Sequence, residues 1–411
     1  MSKLEEPTNE ASAMQKEISV IAEQGGGTTK VEQLIQQYCP DGVEYKRLGD
    51  VCLMERGTSA TKGTMQEGDI PVISGGRQPA FYCSQSNREG ETITVAGSGA
   101  GAGYVQYWDK PIFVCDAFSI KGNDSLNTKF IYYFLSSIQE KIYATKKGGG
   151  VPHVHISSID KFEIPVPPLP VQEEIVRILD TLTELQAELQ AELQKRKQQY
   201  EYYRDKLLSF SDLGNWGGRN VSVEWKKLGE IGKVCMCKRI LKEQTFSTGD
   251  IPFFKIGTFG GSADAYISKE LFDEYVKKYS YPKKGDILIS AAGTIGRTVV
   301  FDGSPSYFQD SNIVWLKHDE SVVLNSYLRY IYSLNPWAIS TGGTIARLYN
   351  DNILNAVIPV PPLAEQQRIV DILDRFDTLT TDITAGLPAE IEARRKQYEY
   401  YRDKLLTFKK K

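Results

Sequence analysis

Much of what an enzyme needs is missing from this chain. Its 411 residues include three histidines, and two of these, His153 and His155, sit on one short segment with no acidic or thiol ligand at fixed spacing. A strand would place those two imidazoles on one face, about 6–7 Å apart, without completing a zinc site. No G-x-x-x-x-G-K-[ST] occurs, so a P-loop ATPase is not expected. Six unevenly spaced cysteines suit free thiols in a reducing cytoplasm, and the one close pair, Cys235 and Cys237, lacks metal partners nearby. No apolar run approaches ~18 residues, so no membrane span is expected, and the N-terminus lacks a basic-then-apolar signal pattern. Pro40-Asp41 with Glu44-Tyr45-Lys46 imitates a nuclease motif, but its acids are separated by two residues on one segment instead of lying on separate strands. The paired prolines at 167–168 and 361–362 are preceded by Val and followed by Leu, unlike the Asn/Asp-Pro-Pro-aromatic motif of amino-methyltransferases. Gly97-Ser-Gly-Ala-Gly101 reads most simply as a turn between strands. The chain reads as non-catalytic. A net charge of −3 also excludes a generic polyanion binder, and residues 221–357 carry sixteen Lys/Arg against fourteen Asp/Glu, so any nucleic-acid surface must be a local patch.

What the chain does have is a long-period repeat. Ile164–Leu169 and Ile358–Leu363 both read IPVPPL, and Tyr200–Leu208 and Tyr398–Leu406 both read YEYYRDKLL. Between these motifs lie helical stripes. In the first copy the stripe is Ile175, Ile178, Leu179, Leu182, Leu185, Leu189 and Leu193; in the second it is Ile369, Ile372, Leu373, Phe376, Leu379 and Ile383. Val171–Leu208 would make a helix of ~57 Å at ~1.5 Å per residue. The second copy is four residues longer and carries Gly386 and Pro388, so it should bend or break near Gly386. Two long, narrowly striped helices predict an antiparallel pair, the alternative being that each packs on its own globule.

Ahead of each helix lies a globule with shared landmarks in shared order. Val43–Gly49 matches Val223–Gly229, Gly68–Pro71 matches Gly249–Pro252, and Gly90–Val105 matches Gly285–Val300. A helical segment follows (Phe130–Tyr143, Tyr327–Leu334), then a glycine cluster (Gly148–Gly150, Gly342-Gly343), then IPVPPL. Short alternating apolar segments between turns predict a mixed α/β (α+β) fold for each globule. The resulting division is an N-terminal appendage with a flexible joint at 1–40, globules at 41–163 and 211–357, and spacer helices at 164–210 and 358–408.

The pattern IPVPPL-x-x-Q-x-x-I-V-x-I-L-D, ending in Q-Y-E-Y-Y-R-D-K-L-L and occurring twice, resembles the specificity subunit of type I restriction-modification enzymes, most closely the type IC subgroup. It is carried by Ile164–Asp180 with Gln199–Leu208 and by Ile358–Asp374 with Gln397–Leu406. Gly285-Asp-Ile-Leu with Gly293-Thr-Ile-Gly-Arg297 also resembles a target-recognition domain of that family, where the first globule shows Gly97–Gly101 instead. The resemblance implies two target-recognition domains, each reading half of a bipartite sequence in double-stranded DNA, related by a pseudo-twofold internal repeat and separated by conserved helices. It implies two methyltransferase subunits and restriction subunits as partners, with S-adenosylmethionine, ATP and Mg on those partners and no cofactor here. The other reading is a coiled-coil scaffold whose globules bind proteins or ligands.

Loop residues beside glycines suit base-edge and phosphate contacts, because the backbone can approach the duplex there. The candidates are Arg77, Gln78, Lys146, Lys147, His153 and His155 in the first globule, and Lys238, Arg239, Lys255, Arg297 and Arg347 in the second. Arg297 and Arg347 each follow a Gly-Thr-Ile turn. For partner docking the candidates are Tyr200, Tyr202, Tyr203 and Arg204 and their repeats Tyr398, Tyr400, Tyr401 and Arg402, with Tyr202 and Arg204 facing outward.

Overall fold

The computed structural model of the chain describes residues 29–148, 150–210, 222–338, 347–382 and 386–411. The start of the appendage with Gly25–Gly27, the Gly342-Gly343 cluster, the Gly-Thr-Ile turn before Arg347, and Ile383 lie outside the described residues. The chain divides into two compact units, Met1–Gln190 with Ile391–Lys411, and Ala191–Glu390.

The first unit begins with α1 (Lys30–Tyr38), capped reciprocally by the Thr29 side chain and the Glu32 carboxylate. The sequence reading groups this segment with the appendage; in the structure its Val31 is buried in the unit's core, with Leu34 and Ile35 packed against it. Next come β1 (Tyr45–Arg47), α2 (Leu48–Val51), β2 (Cys52–Arg56), β3 (Ile70–Ile73), β4 (Phe81–Cys83), β5 (Thr92–Ala96), β6 (Val105–Trp108), β7 (Phe113–Val114) and β8 (Ala117–Gly122). They are followed by α3 (Thr128–Ser137), α4 (Gln139–Tyr143), α5 (Ile156–Ile159), β9 (Glu163–Pro165) and the 41-residue α6 (Leu169–Ser209). The strands form a sheet β2-β8-β5-β6, a smaller sheet β4-β3-β7, and the pair β1-β9. That pair joins two sequence landmarks, since Lys46 faces Ile164 and so ties Val43–Gly49 to IPVPPL. β5 is buried at all five positions because it is central in its sheet and covered by α3, whose Phe130, Ile131 and Leu135 are fully buried.

In the second unit the same order recurs: β10 (Glu224–Lys227), α7 (Leu228–Ile231), β11 (Gly232–Met236), β12 (Ile251–Phe254), β13 (Tyr266–Ile267), α8 (Lys269–Lys278), β14 (Ile287–Ser290), β15 (Thr298–Val300), β16 (Tyr307–Phe308) and β17 (Ile313–His318). Then come α9 (Asn325–Ser333), α10 (Asn350–Leu354), β18 (Val357–Val360) and α11 (Leu363–Thr381). Sheets β11-β17-β14-β15 and β13-β12-β16 and the pair β10-β18 repeat the first unit strand for strand. Among the described residues, α8 has no counterpart in the first unit and α4 none in the second.

The helix stripes are shared between both partners that the sequence allows. In the first unit Ile175, Ile178, Leu179, Leu182 and Leu185 of α6 belong to the globule's own core, and Leu405, the last residue of the C-terminal helix, joins the same cluster with Leu406. In the second unit Leu207 and Leu208 of α6 join Ile369, Val370 and Leu373 of α11, while Tyr203 stacks on Phe376. Higher numbers on one helix thus meet lower numbers on the other, an antiparallel arrangement. α11 ends at Thr381 and the next helix, α12, spans Leu387–Leu405, so the expected break falls around Gly386. A Cβ at Gly386 would stand 2.3 Å from the Thr378 carbonyl oxygen, which explains the glycine.

One glutamine per unit fixes globule to helix. Gln172 Nε2 donates to the Pro167 and Ser125 carbonyls (2.6 and 2.8 Å), and its Oε1 accepts from Asn127 N–H (2.8 Å). Gln366 does the same with Pro361, Val322 and Leu324 (2.8, 3.0 and 2.9 Å). Both are fully buried. A matching acid follows: Asp180 accepts from Tyr133 and Lys129 (2.5 and 2.8 Å), and Asp374 accepts from Tyr330. Burial, then these acids, push both tyrosine hydroxyls well above their usual range, so they stay protonated donors.

Candidate nucleic-acid interface

In the first unit three loops meet at one end of the sheets. The loop after β3 packs against the Gly97–Gly101 turn so closely that a Cβ on Gly75 would lie 2.3 Å from the Ser98 carbonyl oxygen. The third loop closes on the same turn: Gly99 N–H donates to Pro152 (3.0 Å), Val154 N–H to Gly97 (2.9 Å), and Lys147 and His153 exchange backbone bonds (2.9 and 2.8 Å). Arg77, Lys146, Lys147, His153 and His155 are thereby brought together. Arg77 lies over the Tyr104 ring (5.0 Å) and Lys146 over Tyr143 (4.1 Å). Buried Val154 points inward, so His153 and His155 share the exposed face, their rings parallel and 6.1 Å apart. Gln78 is exposed on the β3 loop. Among the described residues no group of three or more His, Cys, Asp or Glu side chains could hold a metal ion.

The second unit gathers the loops after β11, β12, β14 and β16 with Arg347. A pocket of about 370 Å³ is lined by Arg239, Lys255 and Arg347 together with Gln309, Asp310 and Asn312. Two of its cations are paired within the protein, Arg239 with Asp310 (2.9 Å) and Lys255 with Asp264 (2.8 Å), while Arg347 donates to the Ser311 carbonyl (2.8 Å). Arg297 donates to the Gly260 carbonyl (3.2 Å), and Lys238 lies over the Tyr279 ring (5.2 Å). Sequence reasoning misses Tyr104, Asp116, Gln309, Asp310 and Asn312. The signal available for the acids is the aspartate that follows each short strand, in Val-Cys-Asp116 and Phe-Gln-Asp310.

The two loop sets superimpose in hydrogen-bond register. Val154 N–H to Gly97 repeats as Leu348 N–H to Ala291 (2.9 Å each), and Gly97 N–H to Asp116 (3.0 Å) repeats as Ala291 N–H to Asn312 (2.8 Å). His153 therefore corresponds to Arg347 and Asp116 to Asn312. The frame is common and the side chains on it differ.

On the helices Tyr202 and Tyr400 are exposed (59% and 62%), each edge-on to its neighbour Tyr203 or Tyr401 (5.3 Å). The other tyrosines turn inward. Tyr200 and Tyr203 pack on Phe376 (6.4 and 5.9 Å), Tyr398 and Tyr401 pack against the first unit's core, and burial pushes the Tyr398 hydroxyl up to about 12. The arginines depart from the outward placement expected of them. Arg204 and Arg402 side chains are only 22% and 19% exposed, because each leans over Tyr200 or Tyr398 and pairs with the next aspartate (2.7 Å).

Comparison with known proteins decides what this repeated frame is. The family described as type I restriction modification DNA specificity domain matches residues 40–196 and again 220–393. The chain belongs to the type I restriction-modification DNA specificity family. A putative type I restriction enzyme specificity subunit of Haemophilus influenzae is 47% identical over 388 residues, covering 89% of this chain and 96% of that protein. A type I restriction enzyme specificity subunit of Escherichia coli is 37% identical over 305 residues, 69% of this chain and 71% of that protein. The crystal structure of a type I restriction-modification S subunit from M. genitalium shares the fold, with a TM-score of 0.57 at 19% identity, over 89% of this chain and 97% of that one. The family is one of DNA specificity, in keeping with the missing catalytic motifs. No helix among the described residues is long and apolar enough to cross a membrane.

Proposed function

We propose that this chain is the DNA sequence-specificity subunit of a type I restriction-modification complex, with each recognition domain (41–163 and 211–357) reading one half of an asymmetric bipartite duplex target. The observation that carries this reading is the common loop frame bearing unlike side chains: Asp116 against Asn312, His153 against Arg347. Aspartate accepts from cytosine N4, whereas asparagine pairs with adenine N6 and N7, so unlike side chains on one frame select unlike bases. Phosphate contacts from Arg77, Lys146, Lys147, Lys238, Arg239, Lys255 and Arg297 fix register, and Gln78, His153, His155 and Arg347 lie within the same loop sets.

The spacer helices dock the methyltransferase subunits through the repeated Tyr202 and Tyr400 surfaces, two copies for two identical partners, and restriction subunits join that assembly. Base flipping and methyl transfer, with their S-adenosylmethionine, and ATP- and Mg-dependent steps belong to the partners. The Glu184–Ala187, Glu188–Ala191 and Glu192–Gln194 steps set the length of the unread gap. One such step adds about 6 Å and about 40° of helix rotation, and one base pair adds about 3.4 Å and about 36°. Deleting Glu188–Ala191 should shorten the gap by about one base pair.

The test is fluorescence polarisation of the chain, assembled with its methyltransferase partners, against a random duplex library with recovery of the bound fraction. Enrichment of one bipartite sequence is expected. Binding that never exceeds that of bulk random duplex would leave the coiled-coil scaffold as the better reading.

A further inference from the structure

The repeated hydrogen-bond frame also matches the glycine turns of the two units. Gly103 N–H donates to Ala96 (2.7 Å) and Ala96 N–H to Tyr104 (3.0 Å); Gly296 N–H donates to Ser290 (2.9 Å) and Ser290 N–H to Arg297 (2.9 Å). Gly103 and Gly296 share a positive φ, +83° and +79°. Tyr104 and Arg297 therefore occupy the same place, directly after the turn. Beside this turn stands the loop after β3 or β12, matched by Cys115 N–H to Ile73 (2.8 Å) and Gln309 N–H to Phe254 (2.9 Å).

A guanidinium lies where loop and turn meet in both units, but it comes from opposite sides. In the first unit Arg77 reaches from the loop and rests over the Tyr104 ring, 5.0 Å from its centre. In the second unit Arg297 reaches from the turn, and its Nη2 donates to the Gly260 carbonyl at 3.2 Å. A Cβ on Gly260 would stand 2.8 Å from that nitrogen, so the glycine makes room for the group. Unlike Arg239 and Lys255, which pair with carboxylates, both guanidiniums have a neutral partner, a ring or a carbonyl. Such a partner fixes orientation and leaves the charge and further N–H groups for an anion.

We propose that each recognition unit carries one guanidinium anchor for a DNA backbone phosphate at this junction, supplied from the loop as Arg77 in one unit and from the turn as Arg297 in the other. The inference rests on the DNA-reading function above. A phosphate anchor fixes register without carrying sequence information, so what matters is where the charge stands and not which loop holds it.

The test moves the cation from the loop to the turn. Affinity of the assembled complex for the duplex recovered by library selection is measured across a salt series for wild type, Arg77→Ala, and Arg77→Ala with Tyr104→Arg. Arg77→Ala should lower the slope of log affinity against log salt by about 0.9, and the double variant should restore it. An unaltered slope in Arg77→Ala overturns the proposal, as does a double variant that melts like wild type yet keeps the reduced slope. If the double variant is unstable, Arg297→Ala with and without Gly261→Arg decides the matter in the other unit: recovery with Gly261→Arg supports the proposal, and no recovery overturns it. A selection that returns no duplex defeats the DNA-reading function itself, an outcome distinct from a wild type that binds and variants that fail to recover.

Discussion

Gln172 offers the sharpest test of how a recognition domain is held on its helix. Replacing it with alanine removes two donated bonds and one accepted bond from a fully buried site. The Pro167 carbonyl is then left inside the protein with no donor, while Ser125 O and Asn127 N–H lie nearer solvent and recover part of the loss. An unmet buried polar group costs about 1–3 kcal/mol. One full penalty, two partial ones and a small cavity together come to roughly 3–4 kcal/mol. At about 2–4 °C per kcal/mol for a unit of this size, the transition should fall by roughly 6–16 °C. Gln172→Glu sharpens the argument: it preserves volume but sets carboxylate oxygen against two carbonyl oxygens, so it should destabilise at least as much as alanine. Differential scanning calorimetry of wild type, Gln172→Ala, Gln172→Glu and the repeat variant Gln366→Ala measures this directly. A Gln172→Glu protein that melts with wild type, or an alanine variant within about 1 kcal/mol of it, would mean that Gln172 does not hold globule to helix.

Burial of Glu174 opposes its ionisation, but bonds from Arg177 and Lys30 outweigh this and hold its carboxyl below the usual range, 4.5. Its contribution to docking α1 is therefore present above pH 4.5 and lost as pH falls through the lower folded value; limited proteolysis at residues 30–38 should accelerate there, and Glu174→Gln should flatten that pH dependence. Tyr202→Ala and Tyr400→Ala should each weaken methyltransferase-subunit binding roughly thirtyfold, about 2 kcal/mol, with the melting temperature unchanged because both rings are exposed; calorimetric titration that finds wild-type affinity counts against docking there. Burial pushes the Cys52 and Cys237 thiols up to about 12, so at pH 8 alkylation of the native chain should run roughly a thousandfold slower at these two sites than in denaturant, as followed by mass spectrometry. The Glu188–Ala191 deletion should move the two half-sites closer by about one base pair in a methylation map; an unaltered gap removes the ruler.

Much of the architecture is legible because it is written twice. IPVPPL and YEYYRDKLL mark β9, β18 and the ends of the long helices, and the Val43–Gly49 and Val223–Gly229 landmarks prove to be the strands and short helices that zip onto IPVPPL. The strand order is not legible, since β3 and β7 pair in parallel between residues forty-one apart (Val72 with Phe113, Ile73 with Val114) and nothing local encodes that choice. The cationic candidates lie on the loops of each unit, but the partner of Arg239 is Asp310, a residue far along the chain and close only in the fold, whereas Lys255 meets Asp264 within one loop. The glutamine after PPL belongs to the repeated pattern, yet its role emerges only in the fold, where Ser125 and Val322 return to it. Arg204 looks outward on a helical wheel and is turned back by its own neighbours, Tyr200 and Asp205.

Two like frames with unlike side chains should read two unlike half-sites. Single-molecule methylation sequencing of a host that expresses this chain with its methyltransferase partners tests it directly. One asymmetric bipartite motif is expected, with two different specified halves separated by a gap of fixed length. A palindromic motif, a single continuous one, or no methylation that depends on this chain would contradict it.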